Sequence, residues 1–233
     1  MSRATEPPLP TPELARTLSR RLRVWYGKHG RDLPWRRTRD PYRVLVSELM
    51  LQQTQVSRVV DYYDRFLGRF PTLEKLAAAP PRRVMEAWEG LGYYARARNL
   101  HKLARSVTAG GGTLSADPNE LRALPGVGAY TAGAVASFAH ERRAALVDTN
   151  VARVLHRIFA PALDPKSALG RKLLWRLAEA VLPRRGKTAW THNQAIMELG
   201  AVVCTARVMR CGVCPVRRLC ATYRQNPRPA LEL

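Results

Sequence analysis

From Thr11 onward the chain sets apolar residues three and four positions apart, the spacing that gathers them on one face of a helix. Leu14, Leu18, Leu22 and Trp25 form one such stripe, with Thr11-Pro12 as N-cap and first helical residue and Gly30 as its stop. After a loop around Leu33-Pro34-Trp35, Asp40-Pro41 caps a second helix. Stripes at Val56, Val59, Tyr63 and Phe66, then over 84–88, then at Leu100, Leu103 and Val107 predict three more. Beyond the glycines of 110–112 come a short helix near Leu121, one over about 129–140, and one carrying Val151, Val154, Leu155 and Ile158. Two further helices are predicted over roughly 168–182 and 190–201. Period-two runs bounded by hairpin turns are missing, so the fold class is all-α, with short connections and no internal repeat. Residues 1–10 are proline-rich and expected to be disordered.

One segment departs from simple amphipathic order. In VLVSELMLQQTQ, over 44–55, Glu48 has Val44, Leu45 and Leu51 as helical neighbours, with Gln52 as the nearest polar companion. An ionised carboxylate there loses hydration, so it must be paired, hydrogen-bonded or protonated. The plain local reading is a side chain reaching past the apolar rim into water.

Composition narrows the partners. The 233 residues carry a formal charge of +21, from 39 Lys and Arg against 18 Asp and Glu, spread along the chain. That field draws in a polyanion, nucleic acid above all. No apolar run approaches membrane-spanning length and the N-terminus has no apolar signal core, so no membrane partner and an intracellular, reducing location are expected.

Four cysteines stand as C-x6-C-x2-C-x5-C at Cys204, Cys211, Cys214 and Cys220, which argues for a metal centre over disulfides. Four thiolates suit tetrahedral zinc or a [4Fe–4S] cluster. The single close pair, with all four within 17 residues, favours a loop wrapped round a cubane while leaving zinc open. Arg207, Arg210, Arg217 and Arg218 on the same loop suit phosphate contact.

Three other motifs bear chemistry. In LPGVGAYTAGAV, over 124–135, Gly126 and Gly128 permit backbone angles forbidden to other residues and a helix starts at once. This is a helix-hairpin-helix candidate whose exposed N–H groups would seat a phosphate. In ALVDTNVARVL, over 145–155, Asp148 is an N-cap, and a carboxylate held there could also face a developing cation. In GLGYYARARNLHK, over 90–102, a glycine turn with two tyrosines precedes Arg96, Arg98 and Lys102; the rings are core residues or platforms for a base.

In this order, SELMLQQTQV, WEGLGYYARARNLHK, LPGVGAYTAGAV, VDTNVARVL and NQAIMELGAVVC resemble the endonuclease III superfamily of helix-hairpin-helix DNA glycosylases, most closely its adenine DNA glycosylase branch. The resemblance runs from about Leu33 to Cys220. It implies two α-helical domains with a DNA groove between them: a six-helix domain over 32–142 carrying the hairpin, and a cluster domain from 11–31 plus 143–225, followed by a tail over 226–233. It implies a [4Fe–4S] cluster on the four cysteines. Glu48 becomes the acid that protonates adenine, and its apolar setting then has a purpose, since desolvation favours the protonated carboxyl. Asp148 becomes the stabiliser of an oxocarbenium-like state, with Tyr130 and Asn150 in support. Tyr130 stands where bifunctional relatives carry a Schiff-base lysine, which implies hydrolysis without strand cleavage. Trp35, Arg36, Leu51 and Gln194 would line the pocket for the extruded base; Gln52 and Gln53 would fill or read the gap, with Gln53 and Tyr93 as wedges.

The implied activity is base excision repair of adenine mispaired with guanine or 8-oxoguanine in double-stranded DNA, by a monomer in the cytoplasm, nucleoid-associated if bacterial. Against the pattern, no 8-oxoguanine-recognising C-terminal domain follows the cysteines before Leu233, and Thr149 stands where many adenine-removing members have Gly. Tyr130 is shared with thymine-removing relatives, so a thymine or uracil mismatch glycosylase is the alternative of the same fold. A non-catalytic iron–sulfur DNA-binding protein is the alternative from another class.

Overall fold

The computed structural model describes residues 7–225; the tail expected over 226–233 and the first six residues lie outside them. Of the segment expected to be disordered, Pro7 to Pro10 carry no regular secondary structure. Among the described residues the regular elements are helices: α1 (Pro12–His29), α2 (Pro41–Leu51), α3 (Val56–Arg69), α4 (Leu73–Ala78), α5 (Pro81–Trp88) and α6 (Ala95–Ala109) come first. Then follow α7 (Pro118–Arg122), α8 (Ala129–Phe138), α9 (Thr149–Phe159), α10 (Ala168–Val181), α11 (Gly186–Val202) and α12 (Ala221–Gln225). Among the described residues the only extended pairing is an isolated antiparallel bridge between Cys204 and Met209.

The capping residues fix where helices begin. Thr11 accepts from the Leu14 N–H at 3.2 Å, and Asp40 from Tyr42 and Arg43 at 2.8 and 3.1 Å. Each such cap satisfies donors the helix itself cannot, worth about 1 kcal/mol. The apolar stripes did not predict α4, because six residues are too short to display a period; Thr72, accepting from Lys75 N–H at 3.3 Å, starts it. The helix expected over 129–140 stops at Phe138, and the one expected from 190 begins four residues earlier, at Gly186.

The chain divides into two compact units, residues 32–141 and residues up to 31 together with those from 142. In the first, α2 packs on α3, α6 and α8, and is buried on almost every face from Tyr42 to Met50. Its core includes Phe66 and Trp88, edge to face at 5.7 Å, and the Tyr42 hydroxyl donates to the Phe70 carbonyl at 2.7 Å. The buried residues of α8 include Ala132, Gly133, Ala134 and Ala136, so its backbone can lie close to α2.

In the second unit α1 packs on α10 and α11, and α9 packs on α10, α11 and α12. Val151, Val154, Leu155 and Ile158 form the buried stripe of α9. Glu198, fully enclosed on α11, receives a two-pronged ion pair from Arg31 at 2.6 and 3.0 Å. No helix among the described residues is long and apolar enough to cross a membrane.

Candidate functional site

Glu48 does not reach water. It is 3% exposed, on the last turns of α2, and the Tyr130 hydroxyl donates to its Oε2 at 2.7 Å. The plain reading of a rim glutamate is therefore corrected: both faces beside Glu48 are covered, because α8 packs on α2 where a lone amphipathic helix would be open. A hydrogen bond to a charged group is worth about 1.5–3 kcal/mol, which offsets part of the desolvation of the carboxyl. The same packing turns Gln52 inward, its Nε2 3.4 Å from the Thr131 hydroxyl on α8.

The turn between α7 and α8 sets where Tyr130 stands. Gly126 has φ +77°, and a Cβ there would lie 2.6 Å from the Asn99 Cβ, so both its backbone angle and its surroundings demand glycine. Gly128 corrects the sequence reading. Its φ of −86° and ψ of 176° are open to any residue, and a Cβ would meet nothing within 4 Å. What its lack of a side chain does is leave the N-terminus of α8 bare, with no side chain capping its N–H groups. Bare donors at a positive helix end suit an anion.

Two residues beside this assembly hold left-handed backbone, Gln53 at φ 55° and Tyr93 at φ 49°. Such angles cost on the order of 1–3 kcal/mol each outside glycine and persist only when the surroundings impose them. Both side chains are exposed, Tyr93 by 58%. Leu51 closes α2 half-buried. Trp35 and Arg36 share the 3-10 turn Pro34–Arg36; Trp35 is buried edge-on against Tyr63 at 5.6 Å, and Arg36 is half-buried.

In the other unit Asp148 caps α9, its Oδ1 accepting from Val151 N–H at 2.7 Å while Oδ2 accepts from Asn150 Nδ2 at 2.9 Å. Burial raises its pKa above the ordinary aspartate value, against the opposing pull of the Val151 and Asn150 donors and the Arg153 charge. Arg153 donates to Asn150 Oδ1 and to the Gly200 carbonyl, both at 2.7 Å, and to the Cys204 carbonyl at 2.8 Å. Asp148, Asn150 and the start of the cysteine loop are thus joined through one guanidinium. Gly200 makes room for this contact, since a Cβ there would lie 2.6 Å from the Asn150 Cβ and 2.9 Å from its carbonyl oxygen. Gln194 is buried on α11.

Cys204, Cys211, Cys214 and Cys220 line one cavity of ≈ 80 Å³, walled by Val154, Ile158, Leu199 and Val203. Arg157 donates to the Cys204 sulfur at 3.2 Å and to the Thr205 carbonyl at 2.8 Å. Burial pushes the Cys214 thiol up to about 12, and negative charge on the other three cysteines pushes the same way. Four thiolates in such a place need a compensating cation.

The 46–180 segment matches the model for the HhH-GPD superfamily of base excision DNA repair proteins. The chain belongs to that superfamily. This HhH-GPD chain is 45% identical over 222 residues to the adenine DNA glycosylase of Mus musculus, an alignment covering 91% of the chain and 42% of the mouse protein. It is 46% identical over 197 residues to that of Mycolicibacterium smegmatis, covering 84% and 66% respectively. It therefore spans less than half of its mammalian relative. A solved thermostable thymine-DNA glycosylase superposes at a TM-score of 0.82 with 31% identity, covering 91% of this chain and 98% of that one.

Sequence reasoning missed Arg96, Thr131, Arg153, Arg157 and Gly200 as supports of the site. Arg153 left a local signal, three residues after Asn150 on one helix face, and Arg96 follows closely on the turn it grips; Thr131, Arg157 and Gly200 act on atoms distant in sequence.

Two outcomes follow from the Asp148 side. Gly200→Ala should destabilise the protein by about 1–3 kcal/mol through overpacking and speed amide exchange at Val151, read by denaturant unfolding and hydrogen exchange. Asp148→Asn keeps a capping oxygen but removes a carboxylate whose folded pKa is raised, so its ionisation opposes folding at neutral pH. The variant should be more stable than the parent at pH 7, read as a higher melting temperature. The advantage should fade as pH falls through the raised pKa toward the ordinary aspartate range, where both side chains are neutral. Melting curves from pH 3 to 8 measure it.

Proposed function

We propose that this chain is a monofunctional DNA glycosylase that hydrolyses the N-glycosidic bond of adenine mispaired with guanine or 8-oxoguanine in double-stranded DNA. The observation that carries the reading is the enclosed Glu48 with the Tyr130 hydroxyl on its oxygen, in a strongly basic HhH-GPD chain. A carboxyl in apolar surroundings holds its proton more readily than one in water, which suits a group that must protonate the departing base. Asp148, fixed by Val151, Asn150 and Arg153, supplies negative charge for the oxocarbenium-like sugar, and water completes hydrolysis. The identity to adenine DNA glycosylases over most of the chain supports adenine as the base.

In this reading Trp35, Arg36, Leu51 and Gln194 receive the extruded base, while Gln53 and Tyr93 enter the opened stack. Gln52 supports the gap from its seat on Thr131. The bare turn at Gly126 and Gly128 seats a backbone phosphate, and the protein works as a monomer in the cytoplasm, nucleoid-associated if the source is bacterial. Cys204, Cys211, Cys214 and Cys220 would hold a [4Fe–4S] cluster. The cavity they share has room for a body larger than one ion. Cys204, Cys211, Cys214 and Cys220 would bind the cluster as thiolates, whose charge its core would offset in part, and the arginine-bearing loop would be ordered around it.

A second reading, removal of thymine or uracil opposite guanine, draws on the 31% identity to a thymine-DNA glycosylase along 98% of its length. Duplexes differing only at one pair separate the two. Adenine release from A:G and A:8-oxoguanine is expected, lost by at least a hundredfold in Glu48→Gln; release of thymine but never adenine would overturn the first reading. Equal, slow release by parent and variant would remove Glu48 from the chemistry. Purified protein should be brown with about four irons per chain, and stoichiometric zinc instead would refute the cluster.

A further inference from the structure

Arg96 is 7% exposed at the start of α6, and its guanidinium is spent entirely on the protein's own oxygens. Nη1 donates to the carbonyls of Leu49 and Met50 at 3.0 and 2.8 Å, to that of Gln52, and to the Thr54 hydroxyl at 3.1 Å. Nη2 donates to the carbonyls of Leu91 and Gly92 at 3.2 and 3.0 Å, and Nε to that of Tyr93 at 3.4 Å. The first set lies at the C-terminal end of α2, a helix with no basic residue in its own last turn. The second set is the turn before α6. One cation therefore brackets Gln53 from both sides and grips the turn that carries Tyr93, and these are two of the three non-glycine residues with positive φ among the described residues.

A left-handed residue relaxes unless its neighbours are pinned. The neighbours of Gln53 and Tyr93 are pinned by the same planar fork, so the two strained, exposed side chains are held as one piece. The Tyr93 ring lies 5.3 Å from the guanidinium carbon and Trp88 lies 5.5 Å from it, which adds cation–π attraction to the hydrogen bonds.

We propose that Arg96 is the positioning residue that locks Gln53 and Tyr93 into a single rigid probe for a disturbed base pair, so that discrimination of mispaired from matched duplex depends on it. The proposal rests on the base-excision reading for its function, though not for the clamp itself. A matched stack resists insertion of two side chains, and only a probe that does not yield can convert that resistance into discrimination; a soft one would fold back against either duplex.

Arg96→Lys tests this, because an ammonium has no planar fork with which to reach both sets of oxygens. In the full-length protein without DNA, amide exchange over 52–54 and 91–94 should accelerate together by at least tenfold, while α3 and α8 stay protected. Acceleration in one loop only, or in neither, overturns the clamp whatever the protein does to DNA. With DNA, the affinity ratio for mispaired over matched duplex should fall at least tenfold. Tyr93→Ala should lose a similar factor in the parent but less than twofold more in the Arg96→Lys background, since coupled residues are not additive. Equal losses in both backgrounds overturn the positioning role. Should Arg96→Lys fail to fold, Thr54→Val, which removes one acceptor and leaves the arginine, should still accelerate exchange in both loops; a response confined to 52–54 overturns the proposal. A folded clamp with no base released from any duplex would sink the excision reading alone.

Discussion

A carboxyl group inside a bundle of helices must be paired, hydrogen-bonded or protonated, and the hydrogen bond that Glu48 accepts organises the unit over 32–141. Glu48 lies on a helix buried on nearly every face. Its donor, Tyr130, sits on the second residue of α8, so α8 must begin at the right place and lie close to α2. The close approach comes from alanines and a glycine along α8, and the starting point comes from Gly126, whose positive φ turns the chain where a Cβ would strike Asn99. A buried polar oxygen that loses a donor costs about 1–3 kcal/mol. The hairpin is therefore a device for placing a hydroxyl.

Asp148 meets the same requirement by other means. It uses the free N–H groups of a helix start and one amide, and its residual charge is balanced by Arg153. Because Arg153 also holds the Cys204 carbonyl, the order of the cysteine loop and the orientation of Asp148 depend on a shared group. One carboxyl is enclosed and hydrogen-bonded by a neutral hydroxyl; the other lies in a field of donors and cations. For Asp148 those donors and the Arg153 charge oppose burial without overcoming it, so its pKa stays above the ordinary aspartate value.

Much of this was legible in the chain. Thr11, Asp40 and Asp148 announced their helices because a cap is a local interaction, and the stripes of α1, α3, α6 and α9 followed from period alone. The four cysteines declared a shared centre by their spacing. What stayed hidden depends on neighbours far along the chain. Glu48 read as a rim residue because only α8, some 80 positions away (|i−j| = 82), closes its face. Gly200 looked like any small residue in a helix until Asn150 was found against it. Gly128 looked conformationally necessary because it sits in a glycine-rich turn, although its angles are ordinary.

The arginines show the same division and qualify the reading of net charge. A balance of +21 treats every guanidinium as part of one outward field. Yet Arg96, Arg153 and Arg157 spend their donors largely on backbone carbonyls, where planar forks tie together separate segments of the chain. Part of the positive excess is therefore structural, and the surface that attracts a polyanion is smaller than composition suggests. The exchange is physically sensible. A strained turn and the end of a helix both present carbonyls that need donors, and arginine supplies several from a single side chain while keeping its charge. Residues of one kind thus do two jobs, drawing in an anion from outside and holding rigid, from inside, the parts that would meet it.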